Sequence, residues 1–224
     1  MLYTFLSNIL EPFSYLIFSL AFFLECRRDR TIKVRVLLVH YLIATILMTY
    51  AAWKAFNQED NRWIYTLLCL QSAVFICYYF HELFIDKKKK LIIKGLIGIN
   101  VFYFILNALV FKQFFYFDSF GYALLSVSVS ILAFMYFLNV LRNNSEKQLW
   151  YDFNFWLVSG YLVYFLVSFG IFLTYHNLTN KILDTFTDEE RELLTVLWGL
   201  HNVLLFLSAM TTLFGNLWIT YRKK

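Results

Sequence analysis

The sequence contains few residues that break helices or carry charge. Of its 224 residues, one is proline, seven are glycine and three are cysteine, and charged residues make up 16%. Three cysteines are too few for a disulfide-stabilised fold, and an apolar composition of this kind excludes an intrinsically disordered chain. A soluble domain of average composition has about 25% charged residues. The low charge therefore argues against a water-soluble fold.

Apolar and aromatic residues are present in excess. Hydrophobic residues make up 60% of the sequence and aromatic residues 21%, and the mean hydropathy is +0.59. One core of this size cannot bury so much apolar surface, because a folded chain leaves much of its surface facing outward. The composition therefore predicts an integral membrane protein with the lipid bilayer as its partner. The net charge of +5 is explained by basic segments between the apolar stretches, so no nucleic acid is expected as a partner.

Seven apolar stretches are long enough to cross a bilayer as helices. A helix needs about 20 apolar residues to span a hydrocarbon core of about 30 Å. The stretches are continuous, whereas membrane-spanning strands alternate between apolar and polar residues. The predicted spans are residues 2–25, 34–56, 63–84, 91–111, 120–141, 153–173 and 193–221. The prediction is an all-α membrane protein, with a single seven-transmembrane-helix bundle over residues 1–224.

The positions of the cations predict the orientation of these spans. Most of the 20 Lys and Arg residues lie in alternate connections and at the C-terminus, above all in the basic loops 26–35 and 86–94. Short basic loops stay on the cytoplasmic side of a membrane. The N-terminus is therefore expected outside and the C-terminus in the cytoplasm, in the bacterial inner membrane. The same two loops offer a surface to a membrane or cytoplasmic signalling partner.

The last span has a recognisable helix start. Thr187 and Glu190 have capping-box spacing, in which each residue bonds to the backbone N–H of the other. Asp188, Glu189 and Glu190 would lie in the first turn, where the helix dipole favours anions. We therefore expect the last helix to begin at Asp188, outside the bilayer.

Motifs for catalysis, metal binding or a cofactor are missing from the sequence. The four histidines, His40, His81, His176 and His201, lack the spacing of zinc-binding helices. The predicted last span contains no lysine that could hold retinal as a Schiff base. The protein is therefore expected to be non-enzymatic, with no cofactor and no metal.

A set of polar residues lies at similar depth in the predicted bundle. Glu11 is the only carboxylate well inside a span, and His201 in the last span is its candidate partner. An ionisable group in lipid is costly, so Glu11 is expected to face the bundle interior. The candidate ligand-binding residues are Glu11, Gln71, Asn107, Ser126, Trp198, His201 and Asn202. They form either an outward-facing polar pocket or hydrogen bonds that only hold the helices together.

Three segments carry a resemblance to a known group of proteins. These are FDSFGYALLSVSVSILAFMYF, DFNFWLVSGYLVYF and LWGLHNVLLFLSAMTTLFGNLWITYRKK. They are similar to segments of small seven-helix integral membrane proteins of Bacteroidota, a family with no assigned activity. The resemblance implies genes placed beside those of sensor histidine kinases, and so a sensory or accessory role. It supplies no catalytic motif.

The leading functional hypothesis is a non-enzymatic sensor, receptor-like or accessory protein with an outward-facing polar pocket. The scarcity of helix breaks and the basic cytoplasmic loops favour this hypothesis. The alternative is a small-solute transporter or channel that uses the region of Glu11 and His201. Many transporters break their helices at Gly or Pro near the midplane, whereas the single proline here, Pro12, lies near the outer end of the first span.

Overall fold

The described part of the chain is entirely helical. A computed structural model describes residues 9–110, 117–142, 149–179 and 187–222, and within these ranges it contains seven α-helices, one 3₁₀ turn and no strand. The α-helices are α1 (Leu10–Arg28), α2 (Ile32–Phe56), α3 (Arg62–Leu83), α4 (Lys87–Leu109), α5 (Ser119–Arg142), α6 (Phe153–Thr179) and α7 (Asp188–Arg222). The 3₁₀ turn is Leu149–Tyr151, shortly before α6. The predicted all-α architecture is confirmed for the described residues.

Six of the described helices, α2 to α7, are long and apolar enough to cross a membrane. Helix α1 differs because its 19 residues include four charged side chains, Glu11, Glu25, Arg27 and Arg28. The predicted first span, residues 2–25, lies partly outside the described residues, and α1 continues past its predicted end. By apolarity the structure therefore supports six spans, and the predicted count of seven depends on α1.

The helices pack into one bundle with an apolar outer surface. Helix α1 packs between α2 and α7, α6 packs between α5 and α7, and α3 contacts α2, α4 and α5. Large apolar side chains also cover the outside, such as Ile46 with 70% of its surface exposed and Leu109 with 73%. Soluble proteins rarely expose extended apolar patches. The outer surface is typical of a protein surrounded by lipid.

The basic loops predicted over residues 26–35 and 86–94 are mostly helical. Residues 29–31 alone separate α1 from α2. The four-lysine run forms the first turn of α4, where the Asp86 side chain caps the helix by accepting a hydrogen bond from the Lys88 backbone N–H at 2.8 Å. An acidic cap offsets the cost of placing lysines at the positive end of a helix. Most of the positive charge therefore lies on helix ends.

The start of α7 confirms the predicted capping box. The Glu190 backbone N–H donates to Thr187 Oγ1 at 3.2 Å, and the Thr187 N–H donates to Glu190 Oε2 at 3.1 Å. The helix begins at Asp188 as predicted and runs for 35 residues. At a rise of 1.5 Å per residue it is about 52 Å long, which exceeds a hydrocarbon core of about 30 Å. Its buried residues begin at His201, so its first turns extend beyond the core of the bundle.

Helices α6 and α7 approach each other closely at two glycines. A Cβ atom at Gly215 would lie 2.2 Å from Trp156 Cγ, and a Cβ atom at Gly160 would lie 2.9 Å from Ser208 Oγ. Neither site has room for a side chain. Small residues at helix contacts are the usual means of close packing in membranes, where lipid is as apolar as the helix surface.

We expect Gly215→Ala to lower the free energy of unfolding by about 1–3 kcal/mol, the usual cost of overpacking a core. The new methyl group would overlap the Trp156 ring, which lies between α6 and α7. Gly98→Ala is the control, because a Cβ atom at Gly98 would meet nothing within 4 Å. The measurement is the thermal midpoint of the purified protein in mild detergent. Equal midpoints for the two variants would contradict the close packing of α6 on α7.

Candidate functional site

Glu11 is a buried carboxyl group in the first turn of α1. Its side chain is 2% exposed, and the Tyr65 hydroxyl of α3 donates a hydrogen bond to it. The second carboxyl atom, Oε2, is buried and accepts no hydrogen bond from any described residue. Leaving a buried acceptor unpaired is costly. Glu11 therefore retains an acceptor site that a water molecule or a ligand can fill.

His201 has different partners from the one predicted. It is 2% exposed in α7, and its ring contacts two hydroxyl groups of α6: Nε2 lies 3.4 Å from Tyr164 Oη, and Nδ1 lies 3.4 Å from Ser168 Oγ. Both distances exceed the usual hydrogen-bond range of about 2.7–3.2 Å. No ion pair joins Glu11 to His201 in the described structure. Neutral hydroxyl partners spare the bundle the desolvation cost of a buried ion pair.

Aromatic rings join these two polar groups into one cluster. The Trp198 ring lies 5.5 Å from the His201 ring and 5.3 Å from the Tyr65 ring, measured between centroids. Phe172 packs edge-on against the same imidazole at 4.7 Å. The polar cluster consists of Glu11, Tyr65, Tyr164, Ser168, Trp198 and His201. Its members lie on α1, α3, α6 and α7.

Four of the seven predicted site residues belong to this cluster or adjoin it. Glu11, Trp198 and His201 are members, and Asn202 is buried beside His201 in sequence. Gln71 lies elsewhere, because its Nε2 atom donates to the backbone carbonyl of His40 in α2 at 3.0 Å. The structure therefore brings together only some of the residues that the sequence predicts.

Two of the remaining predicted residues lie in α4 and α5. Ser126 is buried in α5, and its hydroxyl bonds to no described residue. Asn107 donates from Nδ2 to the Asp118 carboxylate at 2.7 Å, and the Tyr103 hydroxyl donates to the same group at 2.9 Å. The Gly121 backbone N–H completes the set at 2.8 Å. Asp118 thus caps the start of α5 and ties it to α4, which gives Asn107 a structural explanation.

A cavity lies in the middle of the bundle, next to the polar cluster. Its volume is about 20 Å³, which is enough for one water molecule. Residues from six helices line it. Tyr164 lines this cavity and also contacts His201. His40 lines it too, is 1% exposed, and has no hydrogen bond from either ring nitrogen to any described residue. The tyrosines in its lining are Tyr15, Tyr41, Tyr122, Tyr161 and Tyr164.

Sequence reasoning missed several residues of this region. Tyr65 and Tyr164 supply the hydroxyl groups that Glu11 and His201 use, yet nothing in their spacing separates them from the tyrosines that only pack. The role of Asp118 could have been predicted from the sequence, because an Asp directly before an apolar run is a common helix cap.

Neither metal-binding side chains nor similarity to known proteins assigns a function to the described residues. Among the described residues no group of three or more His, Cys, Asp or Glu side chains could hold a metal ion. Comparison with protein-family models, curated proteins and solved structures finds no match to this chain. The fold and the polar cluster are therefore the features that point to a function.

We expect the Glu11–Tyr65 pair to behave as one energetic unit. Tyr65→Phe removes the donor and should lower the free energy of unfolding by about 1–3 kcal/mol, the cost of an unsatisfied buried group. The double variant Glu11→Leu/Tyr65→Phe should cost about 0.5–3 kcal/mol less than the sum of the single variants. The measurement is unfolding in detergent, with Tyr50→Phe as the control on an exposed tyrosine. Strict additivity would contradict the hydrogen bond.

Proposed function

We propose that the protein is a membrane sensor or accessory protein that binds a small polar ligand at the polar cluster. One observation carries this proposal: Glu11 and His201 are buried, and both can still form further hydrogen bonds. Glu11 Oε2 accepts no hydrogen bond from a described residue, and the His201 ring nitrogens lie 3.4 Å from their hydroxyl partners. Ionisable residues inside a membrane domain are costly and tend to mark functional sites.

Continuous helices favour a sensor over a transporter. Each described α-helix runs without interruption between its ends, and Pro12 lies in the first turn of α1, where proline is tolerated. Transporters often expose backbone at broken helices near the midplane. The small central cavity beside the polar cluster suits a closed bundle that responds to binding by a change of shape.

A small-solute transporter or channel is the second candidate. The observation that favours it is that five tyrosine side chains line the central cavity next to the polar cluster, which gives a candidate path into the middle of the bundle. Hydroxyl groups along such a path could replace the hydration shell of a solute. In that case Glu11 and His201 would form the entrance to the path.

We infer seven spans, with the start of α1 outside and the end of α7 in the cytoplasm. Helix α1 packs between two apolar helices, and its 19 residues give a length of about 28 Å, close to the thickness of a hydrocarbon core. Basic residues lie at the end of α1, the start of α4 and the end of α7, which would share the cytoplasmic side. This topology fits a bacterial inner membrane, with the basic helix ends available to a signalling partner.

The test of the proposed site uses the fluorescence of Trp198, which lies against His201. We expect one or more members of a panel of small polar solutes to change this fluorescence, and Trp198→Phe to remove the signal. Glu11→Gln and His201→Ala should each weaken binding at least tenfold, about 1.4 kcal/mol, while the protein stays folded and inserted. A response that survives both variants would contradict the site, and loss of the fold in both would favour a purely structural role.

Proteoliposomes separate the two candidate functions. A sensor should bind its solute with no uptake into the vesicles and no change in a trapped pH indicator. Solute-dependent uptake that Glu11→Gln abolishes would instead establish the transporter. Trp53→Phe is the control variant, because Trp53 is an exposed residue near the end of α2.

A further inference from the structure

An open groove runs along the outer surface of the bundle, between α2 and α3. Its volume is about 390 Å³, and it is lined by Leu47, Leu67, Leu70, Gln71, Val74 and Phe75. All six residues are half-buried. The volume lies within the range of about 300–1,000 Å³ that is usual for sites of small molecules. In a membrane this groove opens onto lipid.

Gln71 is the one polar residue among those that line the groove. Its Nε2 atom is bonded to the backbone carbonyl of His40, which fixes the orientation of the amide. The Oε1 atom accepts no hydrogen bond from any described residue, and it is not sealed inside the protein. Because Gln71 lines the groove, its oxygen is available as an acceptor to a molecule that occupies the groove.

The depth of Gln71 makes this acceptor unusual. The residue lies nine positions after the start of α3 at Arg62, which corresponds to about 14 Å along the helix. In a hydrocarbon core of about 30 Å this depth is close to the middle, where no water is available to donate a hydrogen bond. A plain acyl chain would fill the groove and leave the Gln71 oxygen unpaired.

We propose that the groove binds a lipid-soluble molecule with an apolar body and a hydroxyl group at mid-membrane depth, which donates a hydrogen bond to Gln71 Oε1. The apolar lining matches the hydrocarbon part of such a ligand, and the fixed amide oxygen matches its hydroxyl group. A hydroxylated acyl chain has both features. The ligand enters sideways from the bilayer and needs no opening of the bundle.

The groove shares a wall with the central cavity. Phe75 lines the groove and stacks on the His40 ring, with centroids 5.6 Å apart and planes inclined by 27°. His40 lines the central cavity on the other side, together with Ser72, the neighbour of Gln71 in sequence. Phe75 and His40 therefore separate the groove from the central cavity.

The test measures which lipid the full-length protein retains. The protein is reconstituted in an equimolar mixture of ricinoleoyl and oleoyl phosphatidylcholine, which differ by one mid-chain hydroxyl group, and is then purified in mild detergent. Mass spectrometry quantifies the two retained lipids. The wild-type protein should enrich the hydroxylated lipid roughly twofold to tenfold, the enrichment that one ordinary hydrogen bond provides. Equal retention of the two lipids, or retention of neither, would overturn the proposal.

Two variants assign any enrichment to the groove. Gln71→Met keeps the volume of the side chain and removes the acceptor, so the ratio of the two lipids should fall to one. Val74→Phe fills the groove and leaves Gln71 in place, so it should abolish the enrichment as well, and it replaces the first variant if that fails to fold. Thr49→Val removes a polar group elsewhere on α2 and should preserve the wild-type ratio. An unchanged ratio in Gln71→Met or Val74→Phe would refute the site.

Discussion

Inside a bilayer a polar group has no water to bond with, so each one must find its partner within the protein or in a ligand. The described backbone meets this demand with continuous helices. Several hydroxyl side chains meet it locally, because they bond to the carbonyl one turn earlier, as Thr45 does with Tyr41 at 2.8 Å and Thr212 does with Ser208 at 2.9 Å. Other polar groups bond between helices, as Asn100 Nδ2 of α4 does with Ser128 Oγ of α5 at 3.0 Å, and a further set lies at the polar cluster and around the central cavity.

Helix α1 shows how this demand organises the bundle. Its carboxylates bond to different helices at its two ends: Glu11 accepts from Tyr65 of α3, and Glu25 accepts from Asn216 Nδ2 of α7 at 3.0 Å. Glu25 also pairs with Arg28 of its own helix. The charge that makes α1 the least apolar of the described helices is therefore used for specific contacts inside the bundle. These contacts add to the packing of buried aromatic side chains of α1, such as Phe18 and Phe22, which both stack on Tyr41 of α2.

The architecture was largely predictable from the sequence because its signals are local. Apolar length marked the helices, and the spacing of Thr187 and Glu190 marked the start of α7. The site was predictable only in part, because the depth of a residue follows from its position in a helix, whereas its partner depends on how helices rotate against each other. Gln71 therefore lies on the expected helix, α3, but its side chain bonds to His40 of α2. Tyr65 is the opposite case. Nothing in the sequence distinguishes it from the other tyrosines, and it donates to Glu11 only because the folded helices bring the two side chains together.

The proposed topology requires α1 to cross the membrane despite its charges. The most direct test places single cysteines at Ile9, Arg30 and Gln58, on either side of α1 and after α2, in a protein whose cysteines Cys26, Cys69 and Cys77 are replaced by alanine. A membrane-impermeant maleimide is then applied to sealed right-side-out vesicles. The proposed topology predicts that the cysteines at positions 9 and 58 are labelled in sealed vesicles. The cysteine at position 30 should be labelled only after the vesicles are opened. Protection of Ile9 together with Arg30 would contradict it, because both ends of α1 would then lie on one side.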